Sequence, residues 1–515
     1  MAPHVGRRGF VGGAAVLSTA TLWAPRRSRA AVAMGFDEAR HLLSRTSFGA
    51  TPAEIRGVET QDYASSVDRL LDVRRPDAIT LAPAWIAQDM AGLRASTRAA
   101  REKKDIDGKP LKIVRPAQEQ ARELRNWWVE EMLVTDQPLV ERMTLFWHNH
   151  FTSSHQKVIY TPAMYRQNAL FRREALGNFG RLLLAVARDP AMLIYLDGVR
   201  SKAARPNENF ARELLELFTL GEGHYTEADI QNAARAFTGW TIERDSGAFR
   251  IDEQAHDAGV KTFLGETGPF AGEDIVALLL KQPRTAELVV EKLWREFVSL
   301  RPDPAEVKRL AAMLRNGNYE MKPVLRAMLL SPAFRDPATR GALIKSPIDL
   351  VVGSVHLLGL PVPEKTQLVR MLQGLGQLPF NPPNVKGWVG GEAWITSYTL
   401  LLRQQFLRRM IEATTVSPMD APMAMPVRPD RRAERKEQAP AGMSMQPPET
   451  ERPVEGRSLR GAGLEVRLGP TLAGLDAAEL QRVLLPRMPI DGGEADGPPG
   501  AVVARAMLDP AYQLK

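Results

Sequence analysis

The chain has 515 residues, 44% hydrophobic and 25% charged, the balance of an ordinary globular protein with room for more than one domain. Its formal charge of +8 is concentrated at one end: residues 1–33 hold five of the 68 Lys and Arg and no acid, so the remainder sets 63 against 60 Asp plus Glu, or +3, and offers no general electrostatic case for nucleic acid. With no cysteine, disulfides, thiolate metal sites, Cys-held iron–sulfur clusters and Cys nucleophiles are all excluded.

At the N-terminus, Arg7-Arg8 inside Gly-Arg-Arg-Gly-Phe-Val precedes a mildly apolar run from Val11 to Trp23, and Ala31-Val32-Ala33 offers a small-x-small cleavage site. That run is too short to span a bilayer, which takes about 20 helical residues. Residues 1–33 read as a twin-arginine signal peptide. The expectation is delivery by the twin-arginine translocation machinery to the periplasm or beyond, with no transmembrane segment in the mature protein.

Beyond it the apolar periodicity is helical almost throughout. Spacings of three and four predict helices over 37–46, 52–72, 117–134, 138–150, 162–175, 179–188, 208–220 and 227–238. The basic run 99–116 reads as a solvated excursion. Between Thr241 and Leu264, alternation at Phe249 and Ile251 with glycine punctuation predicts a small hairpin. Further helices are predicted at 272–281, 284–298, 304–315, 321–330, 341–359, 364–374 and 396–414. The fold expected is mainly α, a large irregular multi-helical domain over 34–414 with one small β-hairpin element.

Residues 415–460, rich in Pro, Met and Arg without apolar periodicity, read as a disordered linker. Its Met419, Met423, Met425, Met443 and Met445 have no His or Cys beside them and are expected to be linker residues rather than a copper site. The segment 461–515 regains apolar content and is expected to pack back on the core. It ends on Asp509-Pro510-Ala511, a joint also present at Asp189-Pro190-Ala191 and Ser331-Pro332-Ala333, where Asp or Ser can cap and Pro takes the first helical position.

The central stretch, Pro206 to Trp240, reads as helix, tight turn, helix. Phe210, Leu214 and Leu217 would face a core, while Asn209, Glu213 and Glu216 repeat the spacing about one residue out of phase and share a polar stripe. Glu213 and Glu216, at i, i+3, present two carboxylates to one side. Arg212 is an i, i+4 partner for Glu216, which leaves Glu213 the freer of the two. His256 and Asp257 lie with Lys261 on the suspected hairpin, a density that suits acid/base work and equally suits a tight turn. His148 and His150 are about 200° apart on a helix and cannot both face one metal there; in an extended segment they share a face. The stripe Leu139, Met143, Phe146, Trp147, His150 continues the helix. His150 is therefore either a buried structural imidazole or, with His148, a ligand to a divalent metal. No dinucleotide fingerprint, phosphate loop, serine-hydrolase elbow or His-Glu-x-x-His is present.

The strings NENFARELLELFTLGEGHYTEADI and AARAFTGW resemble the signature of the bacterial family of domain of unknown function 1800. So do ARHLLSRTSFGATPAEI at 39–55, FWHNHF at 146–151, HDAGVKTFLG at 256–265, PRTAELVVEKLWREFV at 283–298 and PPNVKGWVGGEAWI at 382–395. The resemblance implies no established reaction. It implies a partner, since members are often encoded beside proteins of domain of unknown function 1501, which resemble the alkaline phosphatase superfamily. Two expectations result. One is an exported enzyme doing acid/base or metal-assisted chemistry in a pocket of Glu213, Glu216, His256 and Asp257, with His148 or His150. The other is a non-catalytic helical partner or co-export protein of such a phosphatase-like protein.

Overall fold

Two helices buried on almost every face organise the molecule, Pro138–His150 and Pro347–Leu358. Pro347–Leu358 is almost wholly apolar and Pro138–His150 buries Glu141 and Arg142 along with its apolar residues, so both lie inside the protein and the other helices wrap them. The computed structural model describes residues 32–102, 116–359, 364–415, 470–492 and 496–515. The twin-arginine segment with Arg7 and Arg8, most of the basic excursion and the Met-bearing linker lie outside the described residues.

The protein is mainly α, with two small antiparallel two-stranded sheets. Most helices start and stop where the sequence signals place them, and the caps explain why. Thr226 and Asp229 close a reciprocal capping box at the head of Glu227–Ala236. All three Asp/Ser-Pro joints form as read, with Asp189, Ser331 and Asp509 each accepting a backbone N–H from the following turn. Two predicted helices differ. The stretch 52–72 divides into Pro52–Glu59 and Tyr63–Leu70, because Asp62 caps a second start at Ser65 N. The stretch 341–359 becomes helical only at Pro347, after Ser346 caps it; before that, Leu343 and Lys345 pair by backbone hydrogen bonds with Lys515 and Gln513.

One hairpin was expected between 241 and 264; the chain makes two in succession. Strand β1 (Trp240–Ile242) pairs with β2 (Phe249–Ile251), Thr241 opposite Arg250. Strand β3 (Lys261–Phe263) pairs with β4 (Glu266–Gly268), Thr262 opposite Thr267. The second turns on Leu264 and Gly265, both at positive φ (49° and 86°). Glycine makes that turn easily, whereas leucine gives no sequence signal of it.

A single apolar core runs through the molecule. Leu42, Trp128, Trp147, Phe151, Phe179, Leu215, Val289 and Leu350 share it with Leu480, Val483, Met507 and Tyr512 from the C-terminal segment. One close approach shapes the centre: a Cβ on Gly353 would collide with the Phe48 carbonyl, so only glycine lets Pro347–Leu358 meet the 46–50 turn. Among the described residues no helix is long and apolar enough to cross a membrane.

Candidate functional site

The helix Pro138–His150 is pinned at its middle by Arg142. The guanidinium donates to the Ser47 carbonyl and pairs with Asp349 and with Glu296, the latter at 2.7 Å. Asp349 in turn accepts from Lys515 Nζ at 2.7 Å and from the Ser346 backbone N–H at 3.0 Å. Burial opposes both charges of this network, but each is overcome by its partners. Arg142 and Lys515 hold the Asp349 carboxyl well below the usual carboxylate range, and Asp349 and Glu296 raise Arg142.

One turn of this network opens on a cavity of about 310 Å³. Beside Arg142, Glu296, Asp349 and Lys515 it is lined by His150, Lys292, Arg295, Lys386, Trp388 and Trp394. Its roof is the loop that carries Lys386 and Trp388. Asn149 holds that loop down, accepting from Trp388 N at 2.7 Å and donating to Trp388 O at 3.2 Å. Gly387, at φ 77°, is required there because a Cβ would strike the Asn149 side chain.

The opposite wall is built differently. Lys292 Nζ donates to His150 Nδ1 at 3.0 Å and to the Leu217 carbonyl at 2.7 Å. Leu217 lies in Leu214–Thr219, a π-helical stretch of wide turns of the kind that recurs at functional sites. No carboxylate pairs with Lys292 among the described residues. Burial, and then the charge of Arg295, bring its ammonium down to about 8. Burial, followed by the charge of Lys292, also holds His150 well below the imidazole range, opposed by the Phe218 backbone. With Nδ1 accepting from lysine, the ring proton sits on Nε2, which is buried and makes no hydrogen bond; nor does the buried Trp388 Nε1.

His148 and His150 are both on the helix, and they are not brought together. His148 sits among Trp128, Phe171, Phe380 and Trp388, and burial lowers it to about 3. His150 packs against Phe146, Phe151, Phe179 and Phe218. Among the described residues no three His, Asp or Glu side chains are grouped as a metal would need, and these two rings do not fit one. Glu216 accepts from Tyr225 at 3.2 Å and lies 3.6 Å from Lys386, so it touches the cavity only through that lysine. Burial, and then repulsion from Glu216, raise the neighbouring Glu213 carboxyl. His256 and Asp257 belong to another neighbourhood. His256 Nδ1 lies 2.9 Å from the Thr238 carbonyl, while Asp257 accepts from Arg235 Nε at 2.7 Å and from Gly259 N at 2.9 Å. Lys261 donates to the Asp257 and Gly259 carbonyls, completing a turn.

Lys292, Lys386, Arg142, Asp349 and Lys515 were not anticipated. Lys292 did leave a trace: with Thr285, Leu288 and Val289 it continues the apolar stripe of Pro283–Phe297, a cation where a core residue belongs. The cavity is also where three of the strings that carry the family resemblance meet. FWHNHF supplies Phe146, Asn149 and His150; PRTAELVVEKLWREFV supplies Lys292, Arg295 and Glu296; PPNVKGWVGGEAWI supplies Lys386, Trp388 and Trp394.

Fold and cavity thus define a mainly α protein with a polar site at the junction of its central helices. Residues 41–514 match the family described as Protein of unknown function (DUF1800), and the chain belongs to that family. No curated protein and no solved structure matches it.

Proposed function

We propose that this chain is an exported protein that binds a small carboxylate-bearing molecule in the cavity of His150 and Lys292 and carries out acid/base chemistry on it. One observation carries the proposal: a partly buried lysine, hydrogen-bonded to a neutral imidazole and a carbonyl, stands on the cavity wall with no carboxylate to match it among the described residues. The lining as a whole is cationic, with Arg142, Lys292, Arg295, Lys386 and Lys515 against Glu296 and Asp349. Arg295 and Lys386 are the exposed cations of the lining, each shared with an acid outside it: Arg295 lies 3.9 Å from Glu291, and Lys386 3.1 Å from Glu222 and 3.6 Å from Glu216. Lys292, brought toward neutrality, can take a proton from the substrate and return it, and His150 orients the amine through Nδ1. Isothermal titration with a panel of mono- and dicarboxylic acids, run beside Lys292→Met, tests this. Binding by the wild type, weakened at least about tenfold in a variant of unchanged circular dichroism, is the expected result. A wild type that takes none of the panel, or a variant that binds as well, would sink the proposal.

Export is supported by the Arg7-Arg8 pattern and its cleavage site. Fractionation of cells making Arg7→Lys/Arg8→Lys is expected to leave uncleaved precursor in the cytoplasm, and normal processing would end the twin-arginine assignment. The partner reading has support of its own. Glu216 on the one hand and His256 and Asp257 on the other are held in separate pairings, as a scaffold for a protein of domain of unknown function 1501 would hold them.

A further inference from the structure

Another cavity, of about 470 Å³, lies against the first helix of the described residues, Phe36–Thr46. Its walls are that helix, the turn around Arg340 and the C-terminal segment around 478–488. Four arginines line it, Arg40, Arg340, Arg482 and Arg487, against one carboxylate, Asp37. Asp37 is already divided: it lies 3.7 Å from Arg340 and 3.3 Å from Arg482. Arg40 is 8% exposed and donates to the Pro486 carbonyl at 2.9 Å, while its Nε, like that of Arg340, is buried without a hydrogen-bond partner. Among the described residues Arg487 has no carboxylate partner.

Like charges do not gather in a folded protein at no cost, and the crowding is evident in Arg40. Burial first, and then Arg340 and Arg482, lower its guanidinium to about 10, with only Asp37 opposing. An anion held by the exposed ends of these arginines would relieve the repulsion. Guanidinium forks match the oxygens of a tetrahedral anion, and a surplus of cations over one shared carboxylate suits a doubly charged group better than a single carboxylate. Apart from Gln481 the rest of the lining is apolar, with Pro337, Leu485 and Met488, and Met488 is 79% exposed at the rim. We infer that this cleft binds a phosphate ester, its phosphate held by the arginines and its organic portion lying on Leu485, Pro486 and Met488. The site is independent of the His150–Lys292 cavity and shares no residue with it.

The ester can be a soluble metabolite or a phospholipid headgroup at the membrane surface, and the two are separated by experiment. Inorganic phosphate is titrated calorimetrically into the full chain, into Arg482→Gln/Arg487→Gln, whose side chains are exposed and leave the core untouched, and into Lys292→Met. Saturable binding weakened at least tenfold by the arginine pair and unaltered by Lys292→Met is expected. No binding, or equal binding by the arginine variant, overturns the inference; loss only in Lys292→Met assigns the phosphate to the other cavity and overturns it as well. Sedimentation with phosphatidylglycerol vesicles then identifies the source. Wild-type binding that free phosphate displaces and the arginine variant lacks indicates a headgroup, and phosphate binding without vesicle binding indicates a soluble ester. Vesicle binding that survives the arginine substitutions overturns the headgroup arm.

Discussion

The two walls of the central cavity handle buried charge in opposite ways. On one, Arg142, Asp349, Glu296 and Lys515 match cation to anion, and the backbone of Ser47 and Ser346 takes up what is left. On the other, Lys292 has only neutral acceptors, and His150 keeps a buried N–H unpaired. A matched network is a structural joint, because the low-dielectric interior penalises any change in its charge state. An unmatched amine is where charge can still change. The contrast separates the groups that hold the cavity open from those that can act in it.

The most forceful way to break the comparison is at Asp349. Asp349→Ala removes the buried one of the two carboxylates shared by Arg142 and Lys515 and leaves these two cations to the half-buried Glu296 alone. It also opens the capping box of Pro347–Leu358. Breaking a buried pair by deleting one partner costs about 3–5 kcal/mol. Urea unfolding of the variant is expected to show a loss of that size. A loss under about 1 kcal/mol would mean the wall is as adjustable as the one facing it.

The facing wall predicts a pH dependence instead. In the unfolded chain Lys292 titrates at the ordinary lysine value of 10.5, and burial brings it to about 8 in the folded protein. A lysine whose folded value is depressed contributes stability that is present above the unfolded value and lost as pH falls through the folded one. Between about 8 and 10.5, therefore, the wild type gains stability with rising pH relative to Lys292→Met, on the order of 1–2 kcal/mol of it between pH 8 and pH 9.5. Unfolding curves for the two proteins at pH 8 and at pH 9.5 measure the difference. Parallel behaviour would show that Lys292 stays charged in the fold, and the contrast between the walls would disappear.

How much of this was legible in the sequence depends on the range of the interaction. Helices with local caps, such as Thr226 with Asp229, could be read because both partners lie within one turn. The burial of His150 followed from the stripe Leu139, Met143, Phe146, Trp147. The cavity itself was not legible, since Arg142 meets Asp349 across 207 residues and Lys292 meets His150 across 142, and no local pattern sets such pairings. The π-helical turn at Leu214–Thr219 was equally silent, because its residues are good α-helix formers and tertiary packing decides the wider turn. Glu213 and Glu216 lie near enough to repel each other, and Glu216 meets the cavity lining where Lys386 comes over from the loop above.

The smallest expected effect belongs to the hairpin cluster and sharpens the comparison from outside. Asp257 accepts from Arg235 and from Gly259 N, and the Arg235 guanidinium, the largest influence, holds its carboxyl below the usual range. The pair is partly exposed, with side chains 31% and 19% accessible, so solvent screens much of its attraction. Asp257→Asn keeps a side-chain oxygen for the Gly259 N–H and removes only the charge. The expected loss is on the order of 0.5–1 kcal/mol by thermal unfolding, with carboxylate binding in the central cavity unchanged. A variant that folded as well as the wild type yet lost ligand binding would show that the hairpin communicates with the cavity, and the site would then have to be redrawn to include His256 and Asp257.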